Sequence, residues 1–478
     1  MTQLRLLNTC RDLGEQRSLM PLACLSLQAS VEAAGFTCKL EDLQFEKLGE
    51  DTLRRHPEGC VPGMAYNNLG EQAKRPIDEN LCLEDIDALT RWFFREDAEL
   101  LGISLMSHAL PFVLLALEQG PLHRPPVVLG GSGVAFVAAS IMQRFEAVDF
   151  IIEGEAELAL VELLRALRGE RSMEGIPGLW RRQNGHLLPP TSLGRIAELA
   201  LLPPPSAAST PLEVYDVLSL HSARGCPFRC AFCSAGALAG HRVRSLPISR
   251  VLDEAQALAA RCPSRTLIVE DDTFLLRRSR VLAFCEGLHE RGLSFDWGCT
   301  GRVGLLDEAL LERMAAAGCS NIFLGIESGS DRLLSSIDKG FRVEQGYAQC
   351  LLAARYMRVT AHFVWGFPTE RLEDFAATYV LMMSLFAQGI NVRASNLVPF
   401  PGSPLVEQQR DPQDGTLRLL APSQTPYPRL LNVEPGSRAG QLVLSDAELF
   451  LPFYSLPTPA LEEKRASASR FHALFDAL

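Results

Sequence analysis

Apolar positions fall along this chain in two rhythms. Short continuous apolar runs, the pattern of strands buried on both faces, alternate with longer stretches whose apolar residues recur at helical spacing. Early on, the runs are 4–7, 36–43, 100–105, 127–129 and 150–152, and the helical stretches are 22–34, closed by Gly35, and 156–167. Later, the runs are 217–220, 266–270, 295–300, 321–325, 359–365 and 391–398. Helical stretches at 246–260, 277–291, 306–317, 343–357 and 372–388 separate them, and Gly292 and Gly318 stand where helices stop. Such alternation predicts parallel sheets in two α/β units. The first reads as a doubly wound, Rossmann-like domain. The second has six strand–helix repeats, too few to close an eight-stranded barrel. It predicts an open partial (β/α)6 barrel with its active site at the strand carboxyl ends.

Breaks in the pattern set the expected boundaries. Residues 201–211 carry Pro203, Pro204, Pro205 and Pro211 and predict a stiff, non-helical connector. The expected organisation is a domain at 1–190, a linker at 191–215, the partial barrel at 216–404 and a C-terminal extension at 405–478. Residues 46–90 show no motif and read as an insertion; 411–440 read as loop and 460–478 as a terminal helix. By position alone, the extension is expected to cover the open side of the barrel. Residues 100–117 lack Lys, Arg, Asp and Glu, but Gly102, Ser104, Ser107, His108 and Pro111 interrupt them. A membrane helix needs about 20 apolar residues. A buried strand followed by a helix opening at Pro111 fits better, so no membrane partner is expected.

Composition narrows the function classes. A length of 478 residues suits two or three domains, and 47% hydrophobic content suffices for packed cores. Lys+Arg 46 against Asp+Glu 57 leaves a net charge of −11, which argues against a broad polyanion-binding surface; no nucleic-acid partner is expected. The first residues show no basic-then-apolar export signal, and thirteen cysteines show no pairing rhythm. The expectation is a reduced, cytoplasmic protein. Cys10, Cys24, Cys38, Cys262, Cys285, Cys299, Cys319 and Cys350 mostly sit on apolar faces and read as small core residues.

Three cysteines stand apart. Cys226, Cys230 and Cys233 fall in one loop, spaced CxxxCxxC, directly after the run 217–220 and flanked by Gly225 and Pro227. A structural zinc site closes with four protein ligands, as does an all-cysteine cubane. No fourth cysteine is near; the next is Cys262. Three thiolates on a four-iron cluster leave one iron open to a small molecule. His221 or His241 could instead complete a zinc site, but that leaves the apolar Phe232 between two ligands unexplained.

The stretch Ser222-Ala223-Arg224-Gly225-Cys226-Pro227, running into CxxxCx(aromatic)C, resembles radical S-adenosylmethionine enzymes. The resemblance implies a [4Fe-4S] cluster on Cys226, Cys230 and Cys233. Its open iron chelates S-adenosylmethionine, which is cleaved to a 5′-deoxyadenosyl radical. It also implies cofactor-binding roles at successive strand ends. Glu270, Asp271 and Asp272 match the position of the methionine-amino motif. Glu327 and Ser328 match the ribose-side motif. Gly366 to Glu370 match the G-F-P-x-E motif near the adenine, Phe232 the aromatic beside it, and Arg302 a partner for the methionine carboxylate.

The order strand, Gly130-Gly131, strand, Glu153-Gly154-Glu155, helix resembles the cobalamin-binding domain that precedes the barrel in one subgroup of that family. Ile176-Pro177-Gly178-Leu179 with Gly185 resembles its exit hairpin. Ser104, Ser107, Gly130, Gly131, Ser132, Glu153, Gly154 and Glu155 are then the implied cobalamin contacts. Two departures accompany the likeness. No D-x-H-x-x-G stretch supplies a cobalt-ligating histidine, and Ser132 stands where the subgroup often has histidine. The resemblance implies methylation of an unactivated carbon or phosphorus centre in a small-molecule substrate, with an external one-electron reductant such as flavodoxin or ferredoxin. Rearrangement or cyclisation, radical chemistry with an empty first domain, and an iron–sulfur electron carrier or sensor are the alternatives.

Overall fold

The computed structural model describes residues 2–9, 19–44, 83–262, 266–420, 433, 436–464, 466–468 and 470. The expected insertion therefore lies mostly outside the described residues, as do Cys10 and much of the 411–440 loop and the terminal helix. The chain forms two compact units. One takes the chain up to Val214 and again through Phe453; the other begins at Tyr215 and takes up the chain once more from Tyr454.

The first unit is built on β1 (Thr2–Asn8), β2 (Cys38–Asp42), β3 (Ala98–Ser104), β4 (Val127–Gly130), β5 (Phe150–Ile152), β6 (Leu179–Gln183) and β7 (His186–Leu188). Their order across the sheet is β2-β1-β3-β4-β5-β6-β7. β1 to β5 are parallel; β6 and β7 append an antiparallel hairpin. That hairpin turns at Asn184 and Gly185, both at positive φ, the geometry that matches the twist of paired strands. Order 2-1-3-4-5 places the topological switch between β1 and β3, where doubly wound folds bind ligands beyond the strand ends. Leu4, Leu6, Leu100, Val128 and Ile152 join Leu160, Leu163 and Leu164 of the helix Glu157–Leu167 in one core. Arg5 of β1 is fully buried, yet every direction it offers is answered. It makes two 3.0 Å bonds to Glu41 of β2 and donates to the Phe93 and Trp92 carbonyls at 2.7 and 2.9 Å. Such full hydrogen bonding is what a buried ion pair needs to repay its desolvation.

The linker differs from expectation in one respect. Leu199–Leu201 and Pro205–Ala207 each form a single 3-10 turn. Pro205 takes the first position of its turn, where its missing N–H is not needed. The helix Arg438–Ser445 belongs to the first unit, and there Arg144 and Asp446 form a 2.7 Å ion pair.

The second unit holds β8 (Val217–Leu220), a short antiparallel ribbon of β9 (Ala223–Arg224) and β10 (Arg244–Ser245), and then β11 (Thr266–Val269), β12 (Trp297–Gly301), β13 (Cys319–Glu327), β14 (Arg358–Trp365) and β15 (Asn391–Asn396). Six strands pair in the order β15-β14-β13-β12-β11-β8, all parallel, which is the open six-stranded arrangement that the sequence predicts. Alternate residues serve opposite faces. Trp297 packs edge-on against Phe274 and Phe284, and Trp365 against Phe375 of the helix Leu372–Phe386, so those positions face the helices. Cys262, Cys285, Cys299, Cys319 and Cys350 are buried in this unit and Cys24 in the first; Cys38 is half-buried. Burial pushes the Cys285 and Cys350 thiols up to about 12, so both stay neutral. No helix among the described residues is long and apolar enough to cross a membrane.

Candidate functional site

The cysteine loop leaves β8 and is anchored on three sides. Gly225 has φ +97, and a Cβ there would stand 2.8 Å from two carbonyl oxygens, so only glycine fits the turn. The Cys226 N–H donates to the Gly240 carbonyl at 3.2 Å, and the Ala231 N–H to that of Ile337 at 2.9 Å. Cys230 is buried, Cys226 half-buried and Cys233 exposed. The three thiols share one environment. Although the residue is exposed, partial desolvation of the Cys233 thiol by the surrounding loop raises its pKa, and the charges of Cys230 and Cys226 raise it further. Mutual repulsion of this kind is relieved when thiolates bind a metal. Arg302 lies 3.8 Å over the Phe228 ring and donates to the Cys230 sulfur at 3.2 Å. No three His, Cys, Asp or Glu side chains among the described residues close on one point as a single ion requires.

The acidic run after β11 serves this loop. Asp271 accepts from the N–H of Ser222 at 2.6 Å, from that of Ala223 at 2.9 Å and from the Ser222 hydroxyl; Asp272 accepts from the Gly225 N–H at 2.9 Å. Both carboxylates thus hold the backbone that presents Cys226. Glu270 faces inward, bonded to Ser219 of β8, and burial raises its pKa.

Glu327 ends β13 at φ +68, an uncommon conformation for a side chain of its size. It is 5% exposed and accepts from Lys339 Nζ at 2.7 Å; His362 Nδ1 stands 3.7 Å from its other oxygen. That oxygen, Oε2, is buried and makes no hydrogen bond. An orphaned buried carboxylate oxygen at a strand end fits an outside donor such as an ammonium or a ribose hydroxyl. Burial disfavours its charge, but Lys339 and His362 overcome that and hold the carboxyl at about 2. The folded value lies below the ordinary one. The stabilisation is therefore complete above about pH 4.5 and lost as pH falls through about 2, on the order of 3 kcal/mol. Acid unfolding of Glu327→Gln should accordingly show a shallower slope than wild type across that window; an unchanged slope would contradict the ion pair.

Lys339 is the residue the sequence reading missed. It is 7% exposed, sits 5.6 Å from the Phe232 ring centroid, and its carbonyl accepts from Arg302. Two residues before it, Ile337 accepts from the cysteine loop. A lysine in a polar tail after a short helix carries no pattern of its own; only the fold brings it to Glu327. Ser328 is fully buried and bonded to Thr378 at 3.0 Å, inside the protein rather than toward an open face. Phe232 meets Phe367 edge to face at 5.9 Å. Gly366 has φ +93 and donates to Glu370 Oε2 at 2.8 Å. Glu370 is fully buried against Lys464 at 3.0 Å.

In the first unit the predicted residues divide likewise. Gly131 has φ +95 and lies so close to Leu105 that a Cβ would stand 2.4 Å from its carbonyl oxygen. Ser132 is exposed, and Ser104 and Ser107 are half-buried. Glu153 accepts from Phe136 N–H at 2.8 Å and from the Trp180 indole at 3.0 Å; Glu155 accepts from Ile196 N–H at 2.6 Å. Gly154, at φ +101, lets this turn approach Gly194. The two glutamates therefore tie β5 to the chain leaving the domain. At the same edge, Met106 follows β3 at 48% exposure and Phe136 follows β4 at 42%, with φ +66. Exposed apolar side chains beside Gly130, Gly131 and Ser132 suit a broad flat ligand of apolar face such as a corrin.

Residues 220–382 match the Radical SAM superfamily. The chain is 29% identical over 344 residues, 69% of its length and 73% of the relative's, to an uncharacterized methyltransferase of Pyrococcus horikoshii. It is 28% identical over 299 residues to the anaerobic magnesium-protoporphyrin IX monomethyl ester cyclase of Cereibacter sphaeroides, covering 59% of this chain and 48% of that one, about half its length. Among solved structures, the radical S-adenosylmethionine methyltransferase TsrM of Kitasatospora setae, with cobalamin and a [4Fe-4S] cluster bound, superposes at TM-score 0.67 and 18% identity, covering 96% of this chain and 85% of that one.

Proposed function

We propose, from the premise that residues 220–382 are a radical S-adenosylmethionine domain, that the protein is a cobalamin-dependent methyltransferase acting on an unactivated carbon or phosphorus centre of a small molecule. One observation carries this reading: a three-thiol loop after the first barrel strand shares a chain with a 2-1-3-4-5 sheet whose carboxyl edge beyond β3 and β4 is glycine-rich and apolar. The curated methyltransferase relative and the likeness of fold to TsrM support it.

When bound, the cluster and S-adenosylmethionine supply a hydrogen-abstracting radical, and cobalamin supplies the methyl group. The chain's residues do the placing. Cys226, Cys230 and Cys233 would hold the cluster, and Arg302, which donates to the Cys230 sulfur, would balance thiolate charge there. Asp271 and Asp272 fix the backbone that carries Cys226. Glu270 and Glu327 would offer oxygens to the ammonium and ribose of the nucleotide, with Lys339 holding Glu327 in place. Phe232 and the Gly366–Glu370 turn border the adenine. Gly130, Gly131, Ser132, Met106 and Phe136 form the corrin edge.

The test is anaerobic reconstitution with iron, sulfide and hydroxocobalamin, then desalting. Retention of about one corrinoid per chain, read in the visible spectrum, is the expected result. Formation of 5′-deoxyadenosine without retained corrinoid would instead favour radical chemistry with an empty first domain.

A further inference from the structure

The chain as a whole is acidic, 57 carboxylates against 46 cations, yet residues 217–252 contain no Asp or Glu at all. They contain Arg224, Arg229, Arg242, Arg244 and Arg250, with His221 and His241. This is the stretch that carries the three cysteines. Part of that charge lies at the surface beside them, while Arg224, Arg244 and Arg250 are half-buried. Arg229 precedes Cys230 and is exposed; His241 and Arg242 are exposed and follow Gly240, whose carbonyl binds the Cys226 N–H. His241 Nδ1 lies 3.3 Å from the Cys226 carbonyl oxygen, and Arg224 pairs in register with Arg244 on the adjoining ribbon. Cys233 is itself exposed on this rim. Asp272 approaches from the end of β11, but its Oδ2 is bonded to the Gly225 N–H.

A cationic rim on an acidic protein concentrates field where one sign prevails, and it steers partners of opposite charge. The cluster proposed above must take up one electron for each S-adenosylmethionine it cleaves. We propose that the rim formed by Arg229, His241 and Arg242 is the docking surface of a small acidic protein that carries a low-potential one-electron group. The inference rests on the cluster assignment made under Proposed function. The step balances simply: the carrier is oxidised by one electron, the cluster passes from its 2+ to its 1+ state, and no bond forms or breaks. Neither arginine is placed in the cluster or nucleotide machinery, so the rim acts on delivery of the electron alone.

The test is stopped-flow reduction of the reconstituted full chain by two donors: a fully reduced flavodoxin, which is an acidic protein, and the methyl viologen radical, a small cation. For wild type, reduction by flavodoxin should slow steeply with added salt. Arg229→Glu and Arg242→Glu should each slow it about tenfold at low salt and flatten the salt dependence. Reduction by methyl viologen should stay as fast or rise, with iron content unchanged. Flavodoxin rates that ignore both salt and charge reversal would overturn the docking surface while leaving the cluster intact. Absence of any cluster reducible by methyl viologen would overturn the cluster assignment instead. Should one variant fail to hold iron, the wild-type salt profile still decides.

Discussion

Replacing Cys230 with alanine is expected to abolish the cluster and, with it, cleavage of S-adenosylmethionine, by more than about a thousandfold, because ligands that act as a unit fail together. Cys230 is the buried member of the trio, with the Arg302 guanidinium 3.2 Å from its sulfur. The variant keeps the backbone bonds that shape the loop, since the Cys233 N–H binds the Cys230 carbonyl and the Ala231 N–H binds Ile337. Loss of iron should therefore come without loss of fold: iron and sulfide per chain fall close to zero while far-ultraviolet circular dichroism holds. Cys350→Ala is the matched control. That thiol is fully buried away from the loop, so the variant should lose stability through a small cavity and keep its iron. Retention of a full cluster in Cys230→Ala would contradict the ligand assignment.

The second large effect is expected at the opposite end of the sequence. Lys464 and Glu370 are both fully buried. Lys464 Nζ donates to the Glu370 carbonyl oxygen and to Thr458 Oγ1, each at 2.8 Å, and the Thr458 hydroxyl donates to the Phe367 carbonyl at 2.8 Å. Burial raises the Glu370 pKa and lowers that of Lys464; each needs the other to stay charged. The pair pins the Gly366–Glu370 turn, whose Phe367 packs on Phe232 of the cysteine loop. Lys464→Met leaves a buried carboxylate without its cation and should destabilise the second unit by about 3–5 kcal/mol. Nucleotide affinity should fall as well. Neutralising both members, Lys464→Met with Glu370→Gln, should recover much of the stability, because a matched apolar and neutral pair carries no unpaired charge. Denaturant unfolding of the three variants checks this. A double variant no more stable than Lys464→Met alone would show that the pair's charges are not what matters.

Much of this architecture is legible in the chain because its signals are local. A strand buried on both faces is a run of neighbours, and the cysteine loop is a pattern within eight residues. Glycine stops such as Gly292 and Gly318 punctuate the helices. The short helices Ala138–Arg144 and Asp331–Ser336 were not legible, being too brief to show a period. Nor can sequence say where a carboxylate points. Asp271, Asp272, Glu153 and Glu155 stand at strand ends, as a ligand site asks, yet each commits an oxygen to the protein's own backbone. Glu327 stands at the same kind of position and keeps an oxygen unbonded. The difference comes from partners far along the chain, as do the placements of Lys339 and Lys464. Met106 and Phe136 are large and apolar yet exposed, which only three dimensions reveal.

The account stands most directly on what the cysteine loop holds and what that does to S-adenosylmethionine. The deciding measurement is the yield of 5′-deoxyadenosine when anaerobically reconstituted, full-length protein is mixed with S-adenosylmethionine and a strong one-electron reductant. The account predicts about four irons per chain and 5′-deoxyadenosine formed with reductant and absent without it. A zinc ion in the loop, or a four-iron cluster that leaves S-adenosylmethionine intact under reduction, would contradict it.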